Sequence, residues 1–271
     1  MGVPEAKLRL WPEHYRQLLA EAGLDRDAEL AGALQPEDIN QTALFSLAQG
    51  LREPELLRQQ VRTDYPDAQD NRAVTARLSV LQQDLALNII APLTLRLFLH
   101  GQAPLPDPER IFLSALRPGE QTSPRWFLAT TETPVDVCEF VSGMEAQVNA
   151  WYPAFRQSLG VSPGAYWSSV GLGLGAPFSV VWNRGEPSAV CQLAQAWLKQ
   201  FECDANRFID WIPTEFSGQS CSIPQRKGCC LKYLLPEGGY CGTCGIYRKE
   251  RMAMLSHQKP SSAPGQWRPG L

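Results

Sequence analysis

Four cysteines fall within sixteen residues near one end of the chain, Cys229, Cys230, Cys241 and Cys244, and nothing else in the sequence constrains the fold as tightly. The N-terminus, MGVPEAKLRLWPEHYRQ, has no apolar stretch of the kind a secretory signal carries, so the expected location is the cytoplasm. Thiols stay reduced there and disulfides are rare. Four reduced thiols packed so densely are poor core filler but a good ligand set, so the chain must fold back on itself there to share a metal centre.

The spacing narrows the choice of centre. Cys229 and Cys230 adjoin, ten residues intervene, and Cys241 and Cys244 form a CxxC. The Pro236-Glu237-Gly238-Gly239 stretch can turn the two halves together. Gly228, Gly242 and Gly245 remove side-chain bulk beside the sulfurs. A structural zinc ion takes ligand pairs separated by two to four residues, a rule the CxxC meets and the adjoining pair does not. Adjacent side chains diverge, which suits a 2Fe-2S rhomb whose ligand positions are spread over two irons. Geometry thus favours the two-iron cluster and leaves a four-cysteine zinc site open.

The rest of the 271-residue chain reads as an ordinary globular body, 44% apolar and 20% charged. Helical spacing runs from Leu8 to Gly23, through Thr42 to Leu57 with a break or restart at Pro54, and along Val74 to His100, where Pro92 should kink or split the helix. After the proline-rich loop 101–109, Arg110–Arg117 and Arg125–Thr130 predict a β-hairpin. Helical spacing returns over Val135–Leu159, with a break at Pro153, then over 164–183 and 188–202. Pro213–Lys227 reads as irregular. The fold class is α+β, predominantly helical, with a small β-hairpin or sheet and a C-terminal cluster-binding segment built on the four cysteines. The expected division is a helical α+β substrate-binding domain over 1–220, the cysteine segment over 221–257 and a Pro/Gly/Ser-rich disordered tail over 258–271.

Several function classes are disfavoured. A net charge of −3 argues against nucleic-acid binding. The apolar run Leu85–Leu99 is short and interrupted by Asn88, Pro92 and Arg96, so membrane contact is expected to be peripheral at most. His14, His100 and His257 form no paired motif, and neither a GxSxG elbow nor a phosphate loop is present. Gly171–Ala176 matches GxGxx(G/A), but Pro177 follows and no acid lies about twenty positions on, so small residues at a helix contact explain it better. Cys138, Cys191, Cys203 and Cys221 stand apart as buried small residues, Cys221 alone being a possible substitute ligand. Trp126, Trp151, Trp167, Trp197 and Trp211 read as core or pocket wall. Arg207 and Asp210 read as a surface pair.

The run KGCCLKYLLPEGGYCGTCG, with its C-C-x10-C-x2-C pattern, resembles the C-terminal signature of FhuF-type bacterial ferric-siderophore reductases over about Lys227–Arg251. That resemblance implies a 2Fe-2S cluster on Cys229, Cys230, Cys241 and Cys244, no catalytic residue beyond it, and one-electron reduction of a ferric siderophore of hydroxamate type. The electron would come from an external donor protein or small reductant, since no flavin or nicotinamide signature is present. Backbone N–H groups of Gly242, Thr243 and Gly245 are the expected donors to the sulfurs. Between Ser222 and Leu255 the bases Arg226, Lys227, Lys232, Arg248, Lys249 and Arg251 outnumber Glu237 and Glu250, so they are expected to dock an anionic chelate or an acidic donor. A non-enzymatic protein with a structural zinc tip and an iron–sulfur redox sensor are the alternatives.

Overall fold

The computed structural model describes residues 8–24, 42–68, 70–116, 125–129, 133–216, 218–236 and 238–244. Among these residues the chain is α+β and predominantly helical, with two small antiparallel sheets.

Helix α1 (Trp11–Glu21) takes Pro12 in its first turn, where a missing N–H is harmless, and ends before Gly23 at φ +71°. The segment from Thr42, expected to be helical up to a break or restart at Pro54, opens instead with strand β1 (Ala43–Ser46). Ser46 then closes a reciprocal capping box with Gln49 that starts α2 (Leu47–Arg52), and Pro54 restarts the chain as α3 (Pro54–Asp64). Asp70 caps α4 (Asn71–Leu85), which passes through a π-helical turn (Ala86–Ile90) into α5 (Ala91–His100). The expected break at Pro92 is thus absorbed. The wider π turn lets the helix continue past a residue that cannot donate an α-helical hydrogen bond. Pro153 is handled in the same way, closing α6 (Val137–Pro153) ahead of a second π turn (Ala154–Ser158).

The predicted hairpin is present as β2 (Ile111–Ser114) and β3 (Trp126–Leu128), paired Ile111 to Leu128. β1 adds to the far side of β2, giving the order β1-β2-β3. Helix α7 (Pro163–Leu174) is capped by Ser162 and is buried along nearly its whole length. Short α8 (Ala176–Val180), α9 (Pro187–Leu198) and α10 (Ala205–Phe208) follow. The stretch expected to be irregular is a long hairpin, β4 (Ile209–Phe216) with β5 (Gln219–Arg226), in which every residue pairs. Asp210 lies on β4 rather than on a helix surface, and its partner is Lys227 at 2.9 Å, while Arg207 pairs with Asp204. The expected boundary between 220 and 221 falls inside β5, and the expected tail lies outside the described residues.

One core joins these elements. Trp11, Phe98, Phe178 and Trp197 pack in tilted and edge-to-face pairs, the Phe98 and Trp197 rings 4.7 Å apart, tying α1, α5, α8 and α9 together. Trp126, Trp151, Trp167, Trp197 and Trp211 are all buried. Gly171 and Gly173 serve helix contact: a Cβ on Gly171 would meet Ile209 at 2.8 Å and one on Gly173 the Ala86 carbonyl at 2.7 Å. The helix Asn71–His100, 30 residues long, is apolar enough to cross a membrane by length and composition, which the interrupted run Leu85–Leu99 did not suggest. However, 67% of its most apolar stretch is buried in the fold, as in a core helix.

Candidate metal centre

The cysteine segment leaves the end of β5 and folds onto α4 and α7. Three backbone bonds fix its root. Ser222 donates to the Trp182 carbonyl at 2.6 Å, Lys227 to that of Phe208 at 2.8 Å, and Arg226 to that of Thr243 at 2.9 Å. The last bond brings the CxxC half back beside the residue that precedes the Cys-Cys half. Close approach of two backbones completes the anchor: a Cβ on Gly228 would lie 2.0 Å from the carbonyl carbon of Gly164, in the first turn of α7. Only glycine fits there, for lack of space and not for its dihedral freedom.

Leu231 takes the left-handed conformation at φ +63°, rare for a branched apolar residue and a mark of a constrained site. Its N–H donates to Cys229 Sγ at 3.3 Å, and the Lys232 N–H serves Cys230 in the same way. The short 3-10 turn Lys232–Leu234 follows. On the other half, Thr243 Oγ1 lies 4.0 Å from Cys241 Sγ, and the Cys244 N–H closes a turn onto the Cys241 carbonyl at 3.0 Å. Among the described residues, sulfur thus accepts from the amides of Leu231 and Lys232 and from the Thr243 hydroxyl, donors that the sequence reading does not name. Gly245 lies outside the described residues. The left-handed turn after the Cys-Cys pair presents the Leu231 amide to sulfur, and spacing alone gives no sign of it.

The four thiols are brought to one corner. Cys230 and Cys241 share a side-chain hydrogen bond that holds the Cys230 thiol down at about 6, assisted by the nearby Arg226, and pushes the Cys241 thiol up. Burial raises Cys229, which also feels Cys244 and Cys241. Cys230 and Cys244 are buried, while Cys229 and Cys241 reach solvent, so the corner has an inner and an outer edge. Among the described residues no three His, Cys, Asp or Glu side chains are drawn tightly enough to hold a single ion. Four cysteine thiolates are a ligand set that a 2Fe-2S cluster takes. The donor set fits a 2Fe-2S cluster.

The remaining cysteines lie on other elements, and among the described residues no disulfide joins any of the eight. Cys221, weighed as a substitute ligand, is fully buried on β5 opposite Thr214 and interacts with Cys191 instead, with its thiol pushed up to about 11 by burial.

The basic residues divide. Arg226 cannot dock a partner because its side chain is fully buried. Its Nε donates to Ser168 Oγ at 2.8 Å, its Nη2 to Ser169 Oγ at 2.8 Å and to the Ala165 carbonyl at 3.1 Å, and its Nη1 to Gln83 Oε1. Lys227 is exposed but is committed to Asp210. Lys232 is exposed beside the thiols, as is Tyr240, whose ring packs against Tyr233 at 5.9 Å. Arg248, Lys249 and Arg251 lie outside the described residues.

Residues 226–244 match the family model described as the FhuF 2Fe-2S C-terminal domain. That match spans all four cysteines and begins at Arg226. No curated protein and no solved structure matches the chain.

Proposed function

We propose that this chain, an iron–sulfur protein by virtue of its FhuF-type C-terminal 2Fe-2S domain, is a cytoplasmic ferric-siderophore reductase with Cys229, Cys230, Cys241 and Cys244 as the cluster ligands. One observation carries the reading: the residues matching that domain gather four thiols into a corner with one solvent-reaching edge. The bound group supplies one-electron chemistry, the stoichiometry that turning Fe3+ into Fe2+ requires. Siderophores grip Fe3+ through hard anionic oxygens, and the larger, less charged Fe2+ is held far more weakly, so a single electron frees the metal.

The chain's own residues supply the setting. Leu231, Lys232 and Thr243 donate hydrogen bonds to sulfur and so ease the accumulation of negative charge there. Lys232 and the exposed ring of Tyr240 border the open edge, offering one positive charge and one aromatic face to an anionic hydroxamate chelate. An external donor protein or small reductant is the electron source.

The test is anaerobic. Purified protein is reduced, freed of reductant and mixed in a stopped-flow device with a panel of ferric hydroxamate siderophores, and its visible absorption is followed beside a colorimetric Fe2+ trap. Reoxidation matched by trapped Fe2+ is the expected result, and a reduced protein left unchanged by every chelate would sink the reductase reading. A colourless protein with one zinc per chain would sink the cluster itself. Cys229→Ser is expected to abolish the chromophore, whereas Cys138→Ser, altered on α6, should retain it.

A further inference from the structure

Arg226 is the least expected residue in the site. A guanidinium taken wholly out of water is costly unless an anion compensates it. Four hydrogen bonds engage four of its five N–H donors, and all four acceptors are neutral: two serine hydroxyls and a carbonyl of α7 and an amide of α4. Among the described residues no carboxylate lies within ion-pair distance of it. It stands three residues before Cys229, where the end of β5 opens the segment that carries all four thiols. Its own N–H meanwhile holds the Thr243 carbonyl, so its backbone and its side chain address the two halves of the site together.

We infer that Arg226 is the built-in counter-cation of the cluster, a positioning residue whose buried charge offsets the anionic sulfur set and sets its reduction potential. An oxidised 2Fe-2S group on four thiolates is dianionic and its reduced form trianionic, so a fixed positive charge stabilises the reduced form more and raises the potential. The serines and Gln83 hold the guanidinium in place without cancelling its charge. This assignment rests on the cluster alone, and its test uses no siderophore, so it can fail independently of the reductase reading.

The test is a dye-mediated, spectroscopically monitored redox titration of cluster-loaded wild type, Arg226→Gln, Arg226→Lys and the double variant Ser168→Ala/Ser169→Ala. Arg226→Gln should shift the one-electron equilibrium against reduction by at least tenfold, about 59 mV downward. Arg226→Lys, which keeps the charge, and the serine double variant, which keeps the arginine, should stay within about threefold of wild type, even where melting temperature falls. The Gln shift should persist at high salt, because screening acts on exposed charge and not on a buried one. A Gln variant within threefold of wild type, a shift that vanishes with salt, or an equal shift in the serine variant would overturn the assignment. Should Arg226→Gln hold no cluster, Arg226→Lys decides: a loaded Lys variant upholds the need for charge, and a bare one assigns Arg226 to bond geometry and overturns it.

Discussion

At the scale of single residues, the site depends on where side chains are absent as much as on where they are present. Gly228 lets the chain leaving β5 touch the first turn of α7, and both partners in that contact are backbone. An alanine there cannot be absorbed by a rotamer change, so the two elements must separate. Overpacking of this kind typically costs about 1–3 kcal/mol. We expect Gly228→Ala to lower the melting temperature and to reduce the iron bound per chain. Gly239→Ala, in the same segment but with nothing within 4 Å of the added carbon, should leave both near wild type. Equal iron content in the two variants would show that the contact does not position the thiols. Neither difference is visible in the sequence, where Gly228 and Gly239 look alike. The four cysteines are legible because their chemistry and spacing are local. Arg226 is misread for the complementary reason: a base next to a lysine looks like surface until its burial is seen.

At the scale of elements, legibility follows the range of the interactions. Helices α1, α4–α5, α6, α7 and α9 can be read from period and caps because both are local signals. Strand β1 cannot, since its partner β2 lies more than sixty residues away and its apolar residues blend into the helix that follows. The β4–β5 hairpin is hidden by Pro213 and Pro224, which argue against strands in a larger sheet. A two-stranded ribbon has only edges, so its prolines can face outward. Gly218, at φ +78° in the turn of that ribbon, is the overlooked signal, preceded as it is by a serine. The end of α4 carries a titratable consequence of such long-range packing. The Asp84 carboxylate accepts the Arg125 N–H at 2.8 Å and Asn88 Nδ2 at 2.7 Å, yet burial outweighs both bonds and pushes its pKa up to about 6. A carboxyl whose folded value is raised favours folding most when protonated in both states. It loses that contribution as pH climbs from its unfolded value near 4 through about 6. The stability of wild type relative to Asp84→Asn should therefore fall over that interval and level off above pH 7. A flat difference in melting temperature between pH 4 and 8 would contradict this burial.

At the scale of the whole molecule, the cysteine segment is neither an independent tip nor a full member of the core. Its root is bonded to β5, α10 and the loop at Trp182, and it leans on α4 and α7. Beyond the root, the described residues of 229–244 have one short 3-10 turn as regular structure, a left-handed Leu231 and two cysteines reaching solvent. Such a stretch buries too little apolar surface to order itself, so a bound cluster must supply much of its local stability. The helical body has its own closed aromatic core and does not need that help. Removing the cluster should accordingly act locally. In hydrogen exchange on the cluster-loaded and chelator-stripped protein, amides of 229–244 should exchange at least about tenfold faster after stripping. Those of α4 and α5, including the deeply buried Leu85, Leu97 and Phe98, should keep their protection. The Arg226 amide, bonded to Thr243, is the hinge between the two behaviours and should follow the cysteine segment, whereas the amide of Ser222, bonded to Trp182, should follow the body. Loss of protection spreading through α4 and α5 would instead make the cluster part of the global fold, and the reducing corner and the helical body would then stand or fall together.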